Sequence, residues 1–346
     1  MQTIVYLHCP GQLPDGQVAG AGSDRKAQLS RTTTCGWFSS KLYVTGMMNS
    51  LMTPILRILV AALLMAGPAW AAEMQPASPV ELIRRATEHE IKANDSDGKY
   101  MFRDRREGQH GSQTKLLVET SEATAGMVIA NNDQPLTPEQ RQAEIDRIER
   151  FVKNSGELKR KQKQEKDDSE RIARIMKALP DAFLYEADGT EPGKKGVGKA
   201  GDELVRLKFH PNPKYSPPSR IEQVLTGMDG YILIDANQYR IAKIDGTLVK
   251  DVGFGWGILG HLDRGGHFLV EQGDVGSGDW EITKMGLSFT GRILLFKGLN
   301  IKSDEVYSDF RRVPSDLTFA QAVELLKKQE DAEAGNTAGI ERKRGK

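Results

Sequence analysis

An α+β protein, mainly β and built on one long curved antiparallel sheet, is what this sequence predicts, on three observations. Short alternating apolar runs follow one another between 182 and 312 with no helix-length pattern among them. Such strands pair as antiparallel neighbours, because parallel pairing needs long crossovers. A capped helix precedes the strands, and a helical insert separates the early strands from the late ones. About ten to twelve strands side by side cannot stay flat, so the sheet must curl or close.

Composition narrows the function. The chain has 346 residues, with 48 Lys+Arg against 47 Asp+Glu and a formal net charge of +1. A nucleic-acid partner would call for a basic excess, and none is present. A hydrophobic share of 38% excludes wholesale disorder, and 2 Cys exclude a disulfide scaffold or a Cys-rich zinc site. Residues 52–71 read as a secretory signal peptide: Arg57 is a thin positive region, 58–66 is an apolar run too short to span a bilayer, and Ala69-x-Ala71 suits signal peptidase. A signal peptide starting this far in makes 1–51 a misassigned upstream extension, expected to be disordered. Met47, Met48 or Met52 is then the expected initiator, and Cys9 and Cys35 both fall outside the mature chain. The expected location is periplasmic.

The elements follow in order. Ser78-Pro79-Val80-Glu81 is a capping box that opens a helix with Leu82, Ile83, Ala86 and Ile91 on one face. Strands are expected at 99–107, 114–120 and 124–130. Thr137-Pro138-Glu139-Gln140 repeats the cap and opens a helical insert over 137–179. Its second helix begins with a stretch, 159–171, that contains no apolar residue. Those turns are expected to project into water, while Ile172, Ile175, Met176 and Leu179 pack. Val205, Leu207 and Phe209 alternate with Arg206 and Lys208 as a half-wet strand. Further strands are expected at 231–235, 239–245, 247–254, 267–272, 280–289, 292–296 and 300–311, with Gly246 as one of the breaks. The domain so formed spans 76–313. A short helix carrying Phe319, Val323 and Leu326 starts the tail 314–346, which is expected to be disordered after Gln329.

No motif names a reaction. Gly193-Lys-Lys-Gly-Val-Gly-Lys-Ala200 approaches a phosphate-binding loop, but Ala200 stands where a magnesium-binding hydroxyl is needed, and a strand follows instead of a helix. Gly255-Trp-Gly-Ile-Leu-Gly260 spells G-x-G-x-x-G, again without the helix that would bind pyrophosphate. It reads better as a glycine-rich bend that presents Phe254, Trp256, Ile258 and Leu259, either at the mouth of a cavity or as a plug in the barrel end. The five histidines of the expected mature chain, His89, His110, His210, His261 and His267, show no metal-ligand spacing on a helix, and no nucleophile elbow occurs. No metal, no cofactor and no catalytic residue is therefore expected.

The strings Asp251-Val-Gly-Phe-Gly-Trp-Gly-Ile-Leu-Gly-His-Leu-Asp-Arg-Gly-Gly-His267, Asp309-Phe-Arg-Arg-Val-Pro314 and Pro211-Asn-Pro-Lys-Tyr-Ser-Pro-Pro218 resemble a group of uncharacterised exported bacterial proteins. That group is similar to the outer-membrane lipoprotein-sorting, LolA/LolB-like superfamily. The resemblance covers roughly 79–326. It implies an unclosed β-barrel with helices over its mouth and an apolar interior that shelters acyl chains; it transfers no ligand-gating residue. The leading expectation is a periplasmic binding protein that holds a lipid, an acyl chain or a lipidated protein in an apolar cavity. Phe254, Trp256, Ile258, Leu259 and Phe268 are the expected ligand-binding residues, with peripheral membrane contact. The alternatives are an envelope scaffold that uses the charged helix 157–171, and a periplasmic hydrolase built from His261, Asp263 and His267.

Overall fold

The computed structural model describes residues 78–93, 98–254, 260–276, 278–293 and 297–344. Helix α1 (Pro79–Ala93) comes first, with Ser78 Oγ accepting from the Glu81 N–H at 3.3 Å as its capping box requires. Strands β1 (Lys99–Gly108), β2 (Gly111–Val118), β3 (Ala125–Asn131) and β4 (Gln134–Pro135) form a meander. Helices α2 (Pro138–Lys153) and α3 (Ser155–Ala182) follow. A second meander contains β5 (Phe183–Pro192), β6 (Glu203–Pro211), β7 (Met228–Asp235) and β8 (Arg240–Leu248), with α4 (Arg220–Gln223) before β7. The chain closes with β9 (Val252–Phe254), β10 (Gly260–Leu262), β11 (His267–Gly276), β12 (Asp279–Ile293), β13 (Lys297–Val313) and α5 (Phe319–Arg344).

Eleven of these strands lie in the order β4-β3-β2-β1-β13-β12-β11-β8-β7-β6-β5, while β9 and β10 form a side hairpin on β12. Every paired strand is antiparallel, and β4 and β5 are the two edges, so the barrel is unclosed. Local chain order does not dictate this arrangement. The last strand pairs with the first, which places β1 in the middle of the sheet. The insert α2–α3 carries the chain from one edge to the other.

The two faces bury different things. On one, Leu207, Phe209, Ile232 and Leu248 pack against Leu82, Ile83 and Ala86 of α1 and Leu179 of α3; this is called the α1 face below. On the opposite face of β1–β3, Met101, Leu116, Val118 and Met127 meet Ile148 of α2 and Phe319, Val323 and Leu326 of α5. Adjacent residues Met101 and Phe102 serve opposite sides, as the strand period demands.

Four details differ from the sequence expectation. Gly246 lies inside β8 rather than at a break; a Cβ there would come 2.6 Å from Met228 and 3.2 Å from Phe209, so the glycine makes room for core side chains. Strand β12 likewise runs unbroken through Gly291. The charged half of α3 does not simply project into water. Glu165 and Asp168 are buried; Glu165 accepts from the Thr124 N–H at 3.1 Å and pairs with Lys161 at 2.7 Å. Charges are tolerated there because they are paired and hydrogen-bonded. Finally, α5 continues past Gln329 to Arg344, and Arg141 and Arg103 hold its Glu330 and Glu333.

The sheet splits on one side of the pair Lys243–Glu271, where β8 and β11 stop pairing. Glu90 of α1 fills the split. Its Oε1 accepts from the Ile241 N–H at 2.9 Å, from Arg240 Nε at 2.9 Å and from Gln272 Nε2 at 2.7 Å. Glu90 and Arg240 expose only 5% and 10% of their side chains. Removing one member of a buried pair leaves the other charge uncompensated. Glu90→Leu is therefore expected to lower the unfolding free energy by about 3–5 kcal/mol in urea titration. Glu90→Leu combined with Arg240→Met is expected to recover part of that loss.

Candidate functional site

Strand register places a strip of apolar side chains on the α1 face over β9–β13. Phe268 lies opposite Gly246 on one side and Leu287 on the other. Leu287 in turn faces Ser303, and Phe289 faces Ile301. On the side hairpin, Leu262 faces Gly291 and Val252, and Phe254 faces Gly260. Phe254, Leu262, Phe268, Leu287, Phe289 and Ile301 are all half-buried, and the four other than Leu287 and Ile301 pack against the α1 core. Glycine shapes the floor: a Cβ on Gly266 would meet the Phe289 ring at 2.3 Å.

Of the residues expected from sequence to bind a ligand, Phe254 and Phe268 thus stand on one strip. Trp256, Ile258 and Leu259 lie outside the described residues. Sequence reasoning missed Leu262, Leu287, Phe289 and Ile301. The alternation of Leu287 and Phe289 with Ser288 and Thr290 was the available signal, since it marks one apolar and one wet face.

Next to the strip, the α1 face turns polar. Asp104 and Arg106 project from β1 beside Lys115 of β2 and Ser303, Glu305 and Tyr307 of β13. Glu305 is buried; it accepts from Ser303 Oγ at 2.9 Å and Tyr307 OH at 2.5 Å and forms an ion pair with Arg106 Nε at 3.3 Å. Burial, reinforced by the Glu305 charge, pushes the Asp104 carboxyl up to about 7, and its Oδ1 is buried without a hydrogen-bond partner. Burial also lowers the Lys115 ammonium. The sequence hid this cluster because ionisable residues alternating along a strand ordinarily mark the solvent side.

The remaining motifs are otherwise occupied. The glycine-rich segment 193–200 is tied into the sheet: the Gly198 N–H donates to the Gln272 carbonyl at 2.9 Å, and Thr283 Oγ1 donates to the Gly196 carbonyl at 2.6 Å. His261 sits 3.1 Å from Asp263, and His267 sits 2.9 Å from Asp245, so each takes its own carboxylate. The two do not form one constellation, and both lie on the opposite face from the strip. His210 similarly meets Asp229 at 2.5 Å. Among the described residues no three His, Cys, Asp or Glu side chains are grouped to hold a metal ion.

No family model matches the chain, and no curated protein matches it. Among solved structures it is similar to a DUF1329 family protein from Desulfovibrio piger, at 10% identity and a TM-score of 0.25, over 67% of this chain and 91% of that one. Among the described residues, no helix is long and apolar enough to cross a membrane.

Asp104 gives a pH test. Its folded pKa lies above the unfolded value of about 3.9, so the folded state keeps the proton longer. The stability this contributes is complete below about pH 4 and is lost as pH rises through about 7. Asp104→Asn is expected to flatten that loss and to gain about 1–3 kcal/mol over the parent at pH 8, read from urea unfolding at pH 5.5 and pH 8.

Proposed function

We propose that this chain is a non-enzymatic binding protein that lays the hydrocarbon chain of a lipid, or of a lipidated protein, along the apolar strip of its α1 face. One observation carries the reading: six half-buried apolar side chains, on five neighbouring strands, form a continuous floor beside the half of the face that α1 packs. Well-packed monomers finish such surfaces with full burial or with polar groups, and a sustained apolar strip is where an apolar ligand gains most. Each methylene removed from water contributes about 0.8 kcal/mol, so a chain of ordinary lipid length binds without a strong polar anchor. The separate pairing of His261 and His267 gives a hydrolase reading no support.

The resemblance to the lipoprotein-sorting superfamily and the expected signal peptide at 52–71 support reading this activity as periplasmic, in lipid or lipoprotein traffic at the outer membrane. A lipoprotein's acyl chains are then one cargo, and a free lipid is another. The charged helix 157–171 belongs to the docked part of α3, with Glu165 and Asp168 turned into the protein. It offers a scaffold partner fewer free charges than its sequence suggests.

Chain length is the direct test. Across a series of straight-chain fatty alcohols, each added methylene is expected to tighten binding by about fourfold until the strip is filled. Isothermal titration of the purified protein reads the slope. An affinity independent of chain length, or no binding of any member, would retire the proposal. Phe289→Ser is expected to shorten the useful chain and weaken the longest alcohol by tenfold or more, about 1.4 kcal/mol.

A further inference from the structure

The acyl-chain reading leaves the charged cluster on β1, β2 and β13 unused, although it borders the strip. Arg106, Glu305, Met285 and Val270 are successive cross-strand neighbours on the α1 face. In the adjoining row Ser303 faces Leu287, which faces Phe268. With strands ~4.8 Å apart, the cluster begins one or two strand spacings from the apolar floor.

Within the cluster Glu305 is engaged, whereas both cations keep free donors. Glu305 accepts two hydrogen bonds, from Ser303 Oγ and Tyr307 OH, and forms an ion pair with Arg106. Arg106 uses only its Nε, on Ser303 Oγ at 2.8 Å and on Glu305, while its side chain stays 35% exposed. Its two terminal nitrogens make no hydrogen bond among the described residues. Lys115 stands directly opposite Asp104 in the register, yet its ammonium has no hydrogen-bond or ion-pair partner among them either. Half-buried cations with free donors, held on rigid strands next to an apolar surface, suit an anion brought there by a hydrocarbon tail.

We propose that Lys115 and Arg106 receive the anionic head, a phosphate or carboxylate, of the amphiphile whose chain lies on the strip. This rests on the acyl-chain reading and adds the chemical class of the ligand. Lys115 supplies a point charge, and the free edge of the Arg106 guanidinium supplies paired donors for two oxygens of the head. Asp104 and Glu305 face the same site; Glu305 is held by two hydroxyl donors and its ion pair with Arg106, and Asp104 holds its proton into the neutral range.

The test compares dodecyl phosphate, dodecanoate, dodecanol and dodecylammonium, with inorganic phosphate as the free anion, by isothermal titration on the whole protein. Dodecyl phosphate and dodecanoate are expected to bind at least tenfold more tightly than dodecanol, and dodecylammonium more weakly than dodecanol. Lys115→Met keeps the apolar stem and removes the charge. It is expected to cost the two anionic ligands about tenfold and to leave dodecanol unchanged, with Lys115→Arg restoring the difference. Equal binding of dodecanol and dodecyl phosphate by the unmodified protein overturns the head site and leaves the apolar strip standing, and this comparison needs no variant to fold. Inorganic phosphate binding as tightly as dodecyl phosphate also overturns it, because the site would then serve a free anion. No binding of any alkyl compound sinks the strip itself.

Discussion

A buried carboxylate ties α1 to the sheet. Glu90 enters from α1 at the point where β8 and β11 part and takes the Ile241 N–H that no strand neighbour can accept. It also holds Arg240 and Gln272, one from each side of the split. A backbone donor left unpaired in this buried place would cost about 1–3 kcal/mol, and an unpaired Arg240 more. Glu90 thus lets the sheet open along one line while its Oε1 pairs donors from both sides of the split. The segment 193–200 completes the repair from the other side through Gly198 and Gln272. Its glycines serve close backbone approach: a Cβ on Gly273 would come 2.7 Å from the Gly198 carbonyl oxygen.

That repair fixes where α1 lies and so divides its face in two. Over β5–β8 the face is a packed core with Ile232, Ile234 and Leu207 fully buried. Over β9–β13 the same face carries the half-buried strip, and toward β1 and β2 it holds a second buried cluster, Phe102, Leu117, Met285 and Tyr307, beside the ionisable groups. The passage from apolar to charged side chains along one face follows from register, because one row of cross-strand neighbours runs from Leu207 through Ile232, Val270, Met285 and Glu305 to Arg106 without changing side. The other face has the reverse economy. Salt bridges such as Lys243–Glu271 occupy its centre, and apolar burial is divided between the patch under α2 and α5 and a smaller cluster of Val197, Leu204, Leu233 and Trp280. Two differently used faces suit a binding scaffold whose ligand side and solvent side cannot be exchanged.

Much of the fold was legible in residue pattern. The caps at Ser78 and Thr137 start helices in the structure, and the alternation of Val205, Leu207 and Phe209 marks the core side of β6. Glycine was the main source of error. Gly246 and Gly291 read as breaks, yet each sits in a continuous strand where a neighbouring strand or core side chain leaves no space for a Cβ. Charge was the second source. Glu165, Asp168 and Asp104 sit in polar runs that ordinarily face water, and only the folded packing around them reveals that they are turned inward. The expected site was half legible: Phe254 and Phe268 stand on the strip, whereas Leu287, Phe289 and the Arg106–Lys115 cluster lie on strands remote from them in sequence.

The sequence by itself determined the element types, the antiparallel pairing of neighbouring runs and the helical insert, because helix caps and side-chain periodicity act over a few residues. Tertiary structure alone decided that β13 pairs with β1, that α1 lies over one half of one face, and that Glu90 meets Arg240. Those choices depend on contacts between segments about 150 or more residues apart, and a chain's local pattern carries no record of which distant edge will satisfy its hydrogen bonds.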